Sequence, residues 1–255
     1  HPYGTQTVLG TQEHLKNPSI TNVRNYHKTY YVPNNMAVCV SGDFEPDEMV
    51  ATIEKYFGDM QPNPNLPKLQ FEPEKPITTP VVKEVYGLEA ANVMLGWRLP
   101  GANDKSTDIS DIVGSILYNG QAGLIDLDLN QQQKVLNSYG YPMGLADYSA
   151  FILGGLPKQG QTLEEVKDLL LNEIKKLRAG EFDEKMLQAN INNFKLYELQ
   201  SMESNEGRAD IFVNSFINGT NWEDEVTAID RMAKLTKEDI VAFADKYLKE
   251  DNYAV

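Results

Sequence analysis

The sequence predicts an α+β protein: a two-layer, mostly antiparallel sheet with helices packed on one face, arranged as an incomplete first domain followed by a nearly complete second. Three observations lead there. Capped amphipathic helices alternate with short strand-like runs along the chain. Residues 92–99 set Val93, Leu95, Trp97 and Leu99 against Asn92, Met94, Gly96 and Arg98, the period of a strand with one buried face. A helix, turn and strand near the start also recur at the end, 217 positions later.

Taken in order, Ser19 caps a helix in which Ile20, Val23, Tyr26, His27, Tyr30 and Tyr31 recur at three- and four-residue steps, stopping before Pro33. Residues 36–40 predict a strand with Cys39 as a small buried hydrophobe. Pro46 opens a second helix whose stripe runs through Met49, Val50, Ile53, Tyr56 and Phe57 to Gly58. Residues 1–60 thus form the C-terminal part of a first domain. Residues 61–80 hold Pro62, Pro64, Pro67, Pro73, Pro76 and Pro80, which favour extended backbone and predict an interdomain linker.

Residues 81–255 are assigned to the second domain. Strands are predicted at 81–86 and 92–99, helices at 107–118 and 124–133, and strands at 139–145 and 150–156. Thr162 and Glu165 form a capping box, Leu163, Val166, Leu170, Ile174 and Leu177 the stripe behind it, and Gly180 the stop. Helices follow at 183–202, 205–217, 222–233 and 236–248. A shift of 217 positions lays Ser19 on Thr236, Val23 on Ile240, Tyr26 on Phe243, Tyr30 on Tyr247, Asn35 on Asn252 and Ala37 on Ala254. Two copies of one domain are implied, the first beginning about 136 residues before His1 and the second continuing beyond Val255.

Composition narrows the function. The 255 residues hold 23 Lys and Arg against 37 Asp and Glu, a net charge of −14 that offers no basic face to a nucleic acid. No apolar run approaches the roughly 20 residues of a membrane span. The lone Cys39 excludes an internal disulfide.

Chemistry is sparse. Zinc hydrolysis needs paired imidazoles one helical turn apart, whereas His1, His14 and His27 are spaced 13 residues apart, so no metal ligand and no cofactor is expected in this chain. Asp126, Asp128 and Asn130 open like a calcium loop, but Gln131 stands where Gly must turn and Asn137 where a bidentate Glu belongs. No phosphate-cradling glycine motif and no Gly-x-Ser-x-Gly elbow occurs, so no catalytic residue is assigned. The acidic pairs Glu164-Glu165, Asp183-Glu184 and the run 223–225 sit at predicted helix starts, where the macrodipole favours them.

His1-Pro2-Tyr3-Gly4, Gly10, the run Tyr31-Val32-Pro33-Asn34-Asn35-Met36, and Gly42-Asp43-Phe44 ahead of a helix ending Tyr56-Phe57-Gly58 occur in one order. Asn119-Gly120-Gln121 before Gly123-Leu124, and Arg208-Ala209, extend the pattern. With these motifs the chain resembles the insulinase/pitrilysin-type zinc metallopeptidases, the inverzincins, over essentially its whole length. The resemblance implies tandem α/β domains, two to a half, with two halves enclosing a chamber. It places the family's inverted His-x-x-Glu-His upstream of the His-Pro-Tyr-Gly region.

On that resemblance the chain is a fragment of a zinc-dependent metalloendopeptidase that supplies chamber wall and peptide-binding surface, inactive by itself, with zinc in the parent protein. The alternative is a noncatalytic partner or scaffold subunit of the same family. Implied partners are a peptide or protein substrate and a second half or subunit, and the implied compartment is the periplasm or cell envelope. In the family's zinc-free half an Arg and, seven residues on, a Tyr serve the active site. The matching positions here are Asn130 and, nine residues on, Tyr139, which are the substrate-binding candidates. A neutral amide supplies no charge for an oxyanion, so the departure points to the zinc-bearing half.

Overall fold

Local capping starts the first helices. The Thr11 hydroxyl accepts from the His14 amide while His14 Nδ1 accepts from the Thr11 amide, opening α1 (Gln12–Lys16). Ser19 accepts from the Asn22 amide to open α2 (Ile20–Tyr30), and Pro46 presets φ for α3 (Pro46–Phe57). These helices belong to the first of two compact units, His1–Lys75 and Pro76–Val255, of a computed structural model that describes residues 1–5 and 7–255.

In the first unit the predicted strand at 36–40 is extended backbone that pairs with no strand among the described residues, and Cys39 is half-exposed, not buried. The apolar stripes of α2 and α3 face outward: Val23, Tyr26, Val50 and Tyr56 are all more than half exposed. The Pro-rich stretch divides between the units. Asn63 exchanges two 2.9 Å hydrogen bonds with Asn34 and donates to the Thr29 carbonyl, and the His1 ammonium lies 2.6 Å from Glu74.

The second unit holds β1 (Val93–Pro100), α4 (Ser106–Leu117), β2 (Asn137–Met143), β3 (Tyr148–Leu156), α5 (Leu163–Arg178), α6 (Glu184–Glu203), α7 (Asn205–Asn218), α8 (Trp222–Val226), α9 (Ala228–Met232), α10 (Lys237–Tyr247) and β4 (Tyr253–Ala254). The strands form one antiparallel sheet in the order β2-β3-β1-β4, so the fold is α+β as the sequence predicts. Of the predicted strand at 81–86 only a short piece pairs: Val81 donates to the Tyr253 carbonyl, Lys83 to that of Val255, and Val81 accepts from Val255.

The alternation of β1 decides which face is the core. Leu95 and Trp97 are fully buried, opposite Leu153 and Phe151 of β3, and α4, α5 and α10 cover this face with Ile112, Ile116, Leu170, Ile174, Ile240 and Phe243. The Trp97 indole N–H must find an acceptor when buried, and it takes the Lys249 carbonyl at 2.9 Å.

Two helices differ from the sequence expectation. The helix predicted at 124–133 is short: Asp126–Asn130 is a π-helical turn closed by the Gln131 amide on the Asp126 carbonyl, and Gln133 then takes a left-handed φ of 52°. The helix predicted at 222–233 breaks at Thr227 into α8 and α9. Thr227 Oγ1 donates to the Glu223 carbonyl, and Arg231 takes the Asp224 carbonyl at 2.6 Å, which removes both from the helical ladder.

The offset of 217 survives at the level of single bonds. Asn35 Nδ2 donates to the Tyr30 carbonyl at 2.9 Å, and Asn252 Nδ2 to the Tyr247 carbonyl at 3.0 Å. The Tyr26 and Tyr30 rings lie 4.6 Å apart, those of Phe243 and Tyr247 4.9 Å apart. Tyr31 caps onto the His27 carbonyl as Leu248 does onto that of Ala244, and Ser19 bonds the Asn22 amide as Thr236 bonds that of Asp239.

Burial in α4 and the neighbouring Asp108 carboxylate push the Asp111 carboxyl up to about 7. An acid whose folded value is raised above its unfolded value of about 3.9 weakens the fold as pH climbs between the two. Asp111→Asn is therefore expected to raise the melting temperature at pH 8 and change it little at pH 4, measured by thermal denaturation. An equal effect at both pH values contradicts the assignment.

Candidate functional site

Asp126, Asp128 and Asn130 leave the π-helical turn in three directions. The buried Asp126 accepts from the Asn119 and Gly123 amides at 3.0 Å, fixing the turn around Gly120. Asp128 takes Lys176 of α5 at 2.6 Å, and Lys176 also neutralises Glu173 at 2.9 Å. Glu173 is 1% exposed, and burial raises its carboxyl while Lys176 opposes the rise.

Asn130 is turned into the protein. Its Nδ2 donates to the Ser138 carbonyl, and its Oδ1 accepts from the Ser138 amide and hydroxyl, all at 2.8 Å. The amide thus takes the place of a neighbouring strand on the outer edge of β2, where Ser138 would otherwise leave backbone groups unpaired. Four residues on, Pro142 has no N–H to offer and lies close against Gly114 of α4.

Tyr139, the next residue after that clamp, points to the opposite face of the sheet. It pairs with Gly154, and its ring lies where a side chain on Gly154 would stand. Tyr141 stacks near it at 6.2 Å, and Met143 continues the row. The two candidate residues are therefore joined through Ser138: Asn130 holds the register of β2, and the register turns Tyr139 outward. Tyr141 and Met143 belong to the same face. The alternation in Tyr139-Gly140-Tyr141-Pro142-Met143 is the sequence signal that could have identified them.

The donor set does not fit zinc. His14 accepts from the Thr11 amide, His27 stacks on Tyr31 at 4.6 Å, and His1 packs between Tyr3 and Phe71. Among the described residues no three His, Cys, Asp or Glu side chains gather as a metal site, and no helix is long and apolar enough to cross a membrane.

The fold of the second unit is an α+β domain of one antiparallel sheet with helices on one face. Residues 19–194 match the family described as Peptidase M16 inactive domain, and the chain belongs to this insulinase-type M16 peptidase family. It is 26% identical over 267 residues to the zinc protease PqqE of Helicobacter pylori, a match covering 98% of this chain and 57% of that protein. The crystal structure of a protease from Helicobacter pylori superposes with a TM-score of 0.88 at 20% identity, covering 96% of this chain and 60% of that one. The M16 inactive domain from Pseudomonas fluorescens superposes at 0.79 with 14% identity, covering 96% and 58%. The chain thus spans less than two thirds of the length of these relatives, and the solved structures share its fold.

Replacing Asn130 with Ala strands the amide and carbonyl of the fully buried Ser138. The expected cost is about 1–3 kcal/mol of unfolding free energy in urea. A change within about 0.5 kcal/mol would show that the clamp contributes nothing to the fold.

Proposed function

We infer that this chain is part of a zinc-dependent metalloendopeptidase, in which it supplies chamber wall and peptide-binding surface while the zinc motif lies in sequence preceding residue 1. One observation carries the reading: the two copies of the repeated unit are buried unequally. Ile240, Phe243 and Ala244 of α10 are covered by the sheet and by α4 and α5. Val23, Tyr26 and His27 of α2 occupy the same positions of the same capped helix and are exposed. Displaced by the same offset, the sheet that would cover α2 belongs about 60 to 125 residues before residue 1. The resemblance likewise puts the inverted His-x-x-Glu-His upstream of the His-Pro-Tyr-Gly region.

The share of the Helicobacter pylori relative that is matched, 57%, leaves length for such a segment. Zinc bound there would supply a Lewis acid and a water of lowered pKa. The part of this chain is to present the outward face of its sheet to a peptide. Asn130 supports the zinc-bearing half, because its amide is committed to Ser138 and carries no charge for an oxyanion. A second subunit or half of the same family would close the chamber.

The test is to produce the protein with its preceding sequence attached. The expected result is one zinc per chain and cleavage of a quenched peptide that phenanthroline stops, with neither property in the 255-residue chain. An extended protein that holds no zinc and cleaves nothing, but assembles with an active relative, overturns the reading in favour of a noncatalytic partner or scaffold.

A further inference from the structure

The helix α7 carries its apolar stripe on the outside. It packs against α6 and α8, and Ser215 is its buried residue. Ala209, Phe212, Val213, Phe216 and Ile217 stand at i, i+3, i+4, i+7 and i+8, the spacing of one helix face. In a globular domain such a face lies on the core, yet Phe212, Phe216 and Ile217 are 47%, 53% and 65% exposed. Trp222, the first residue of α8, stacks on Phe212 at 4.2 Å and widens the stripe.

The border of the stripe is acidic. Glu206 and Asp210 stand one turn before Ala209 and Val213, and Glu223 follows Trp222. All three are exposed, and among the described residues none of the three carboxylates meets a cation. Arg208, the one cation of α7, is turned back along the hairpin: it donates to the Met202 carbonyl at 2.8 Å and to Asn205 Oδ1.

We propose that the outward stripe of α7 docks a basic amphipathic helix of a partner protein, laid along residues 209–217 with Trp222 at its side. Geometry selects a helix. The stripe is about 12 Å long at 1.5 Å per residue, which suits two to three turns of a second helix packed along it. An extended segment would gain no main-chain hydrogen bonds there, because the backbone donors along the stripe are spent within α7. Charge selects basic flanks, since Glu206, Asp210 and Glu223 border the stripe and the chain as a whole carries −14. The same charge opposes a second copy of this chain and an anionic lipid surface, which draws in helices through Lys and Arg. The stripe shares no residue with the outward face of the sheet, and the proposal stands whether or not the parent protein is a peptidase.

Three labelled, Trp-free peptides of 18 residues test this by fluorescence anisotropy on the 255-residue chain. One has Leu at helical i, i+3, i+4, i+7 spacing with Lys on the flanks, one has the same composition in scrambled order, and one has Glu in place of Lys. The striped Lys peptide is expected to bind at least tenfold more tightly than either control, with the margin over the Glu peptide shrinking in 0.5 M salt. It should also shield Trp222 from acrylamide, a signal that is readable because the other tryptophan, Trp97, is fully buried. Phe216→Ser and Ile217→Ser are each expected to weaken binding at least fivefold and Asp210→Lys at least threefold, with thermal unfolding unchanged. Leu136→Glu, on a 68% exposed residue ahead of β2, leaves binding intact. The peptide series on the unaltered chain keeps the test decisive if a variant fails to fold.

No binding of the striped Lys peptide, equal binding of the scrambled one, or equal loss with Leu136→Glu overturns the proposal. So does a dimer that Phe216→Ser disperses, or binding to phosphatidylglycerol vesicles that Phe216→Ser abolishes. The protein with its preceding sequence attached is expected to bind the striped peptide with the same affinity. Loss of binding there would mean that the parent covers the stripe itself, which also overturns the proposal.

Discussion

An amphipathic helix that ends in an Asn-clamped turn is stable only when its apolar side lies on something, and this chain contains that unit twice and a covering sheet once among its described residues. In the second unit, α10 lies across β1, α4 and α5, and Phe243, Ala244 and Leu248 are almost entirely removed from water. At about 25 cal/mol per Å² of apolar surface, such burial outweighs every single hydrogen bond in the unit. In the first unit the same caps and the same Asn bond surround a helix whose stripe stays exposed. The local signals make the helix and the tertiary partner makes it stable.

This division explains what was legible in the sequence. The capping box at Thr162, the helix start at Thr236 and the alternation of β1 are local, and they appear in the structure where the residues put them. The strand expected at 36–40 is not formed, because a strand is a relation between segments and no described segment pairs with it. Cys39 is half-exposed for the same reason. The π-helical turn at Asp126–Asn130 and the break at Thr227 were illegible for another reason. Both involve side chains from elsewhere: Lys176 of α5 draws on Asp128, and Arg231, which takes the Asp224 carbonyl at the break, is itself held by Asp108 of α4.

The candidate site shows the same limit. Asn130 and Tyr139 were singled out by resemblance, and spacing alone could not tell that one would grip the backbone beside the other. Ser138 is the hinge of that relation, buried and bonded three times by one amide. The outward face that Tyr139 joins could be read only once the register was known, since a slip of one residue would turn Tyr139, Tyr141 and Met143 into the core.

Amide hydrogen exchange on the two copies of the repeated helix tests the account most directly. In the 255-residue chain the amides of 20–30 are expected to exchange at least tenfold faster than those of 237–247, and the difference should vanish when the preceding sequence is attached. Equal protection of the two helices in the 255-residue chain would contradict the claim that α2, unlike α10, has no covering sheet among the described residues.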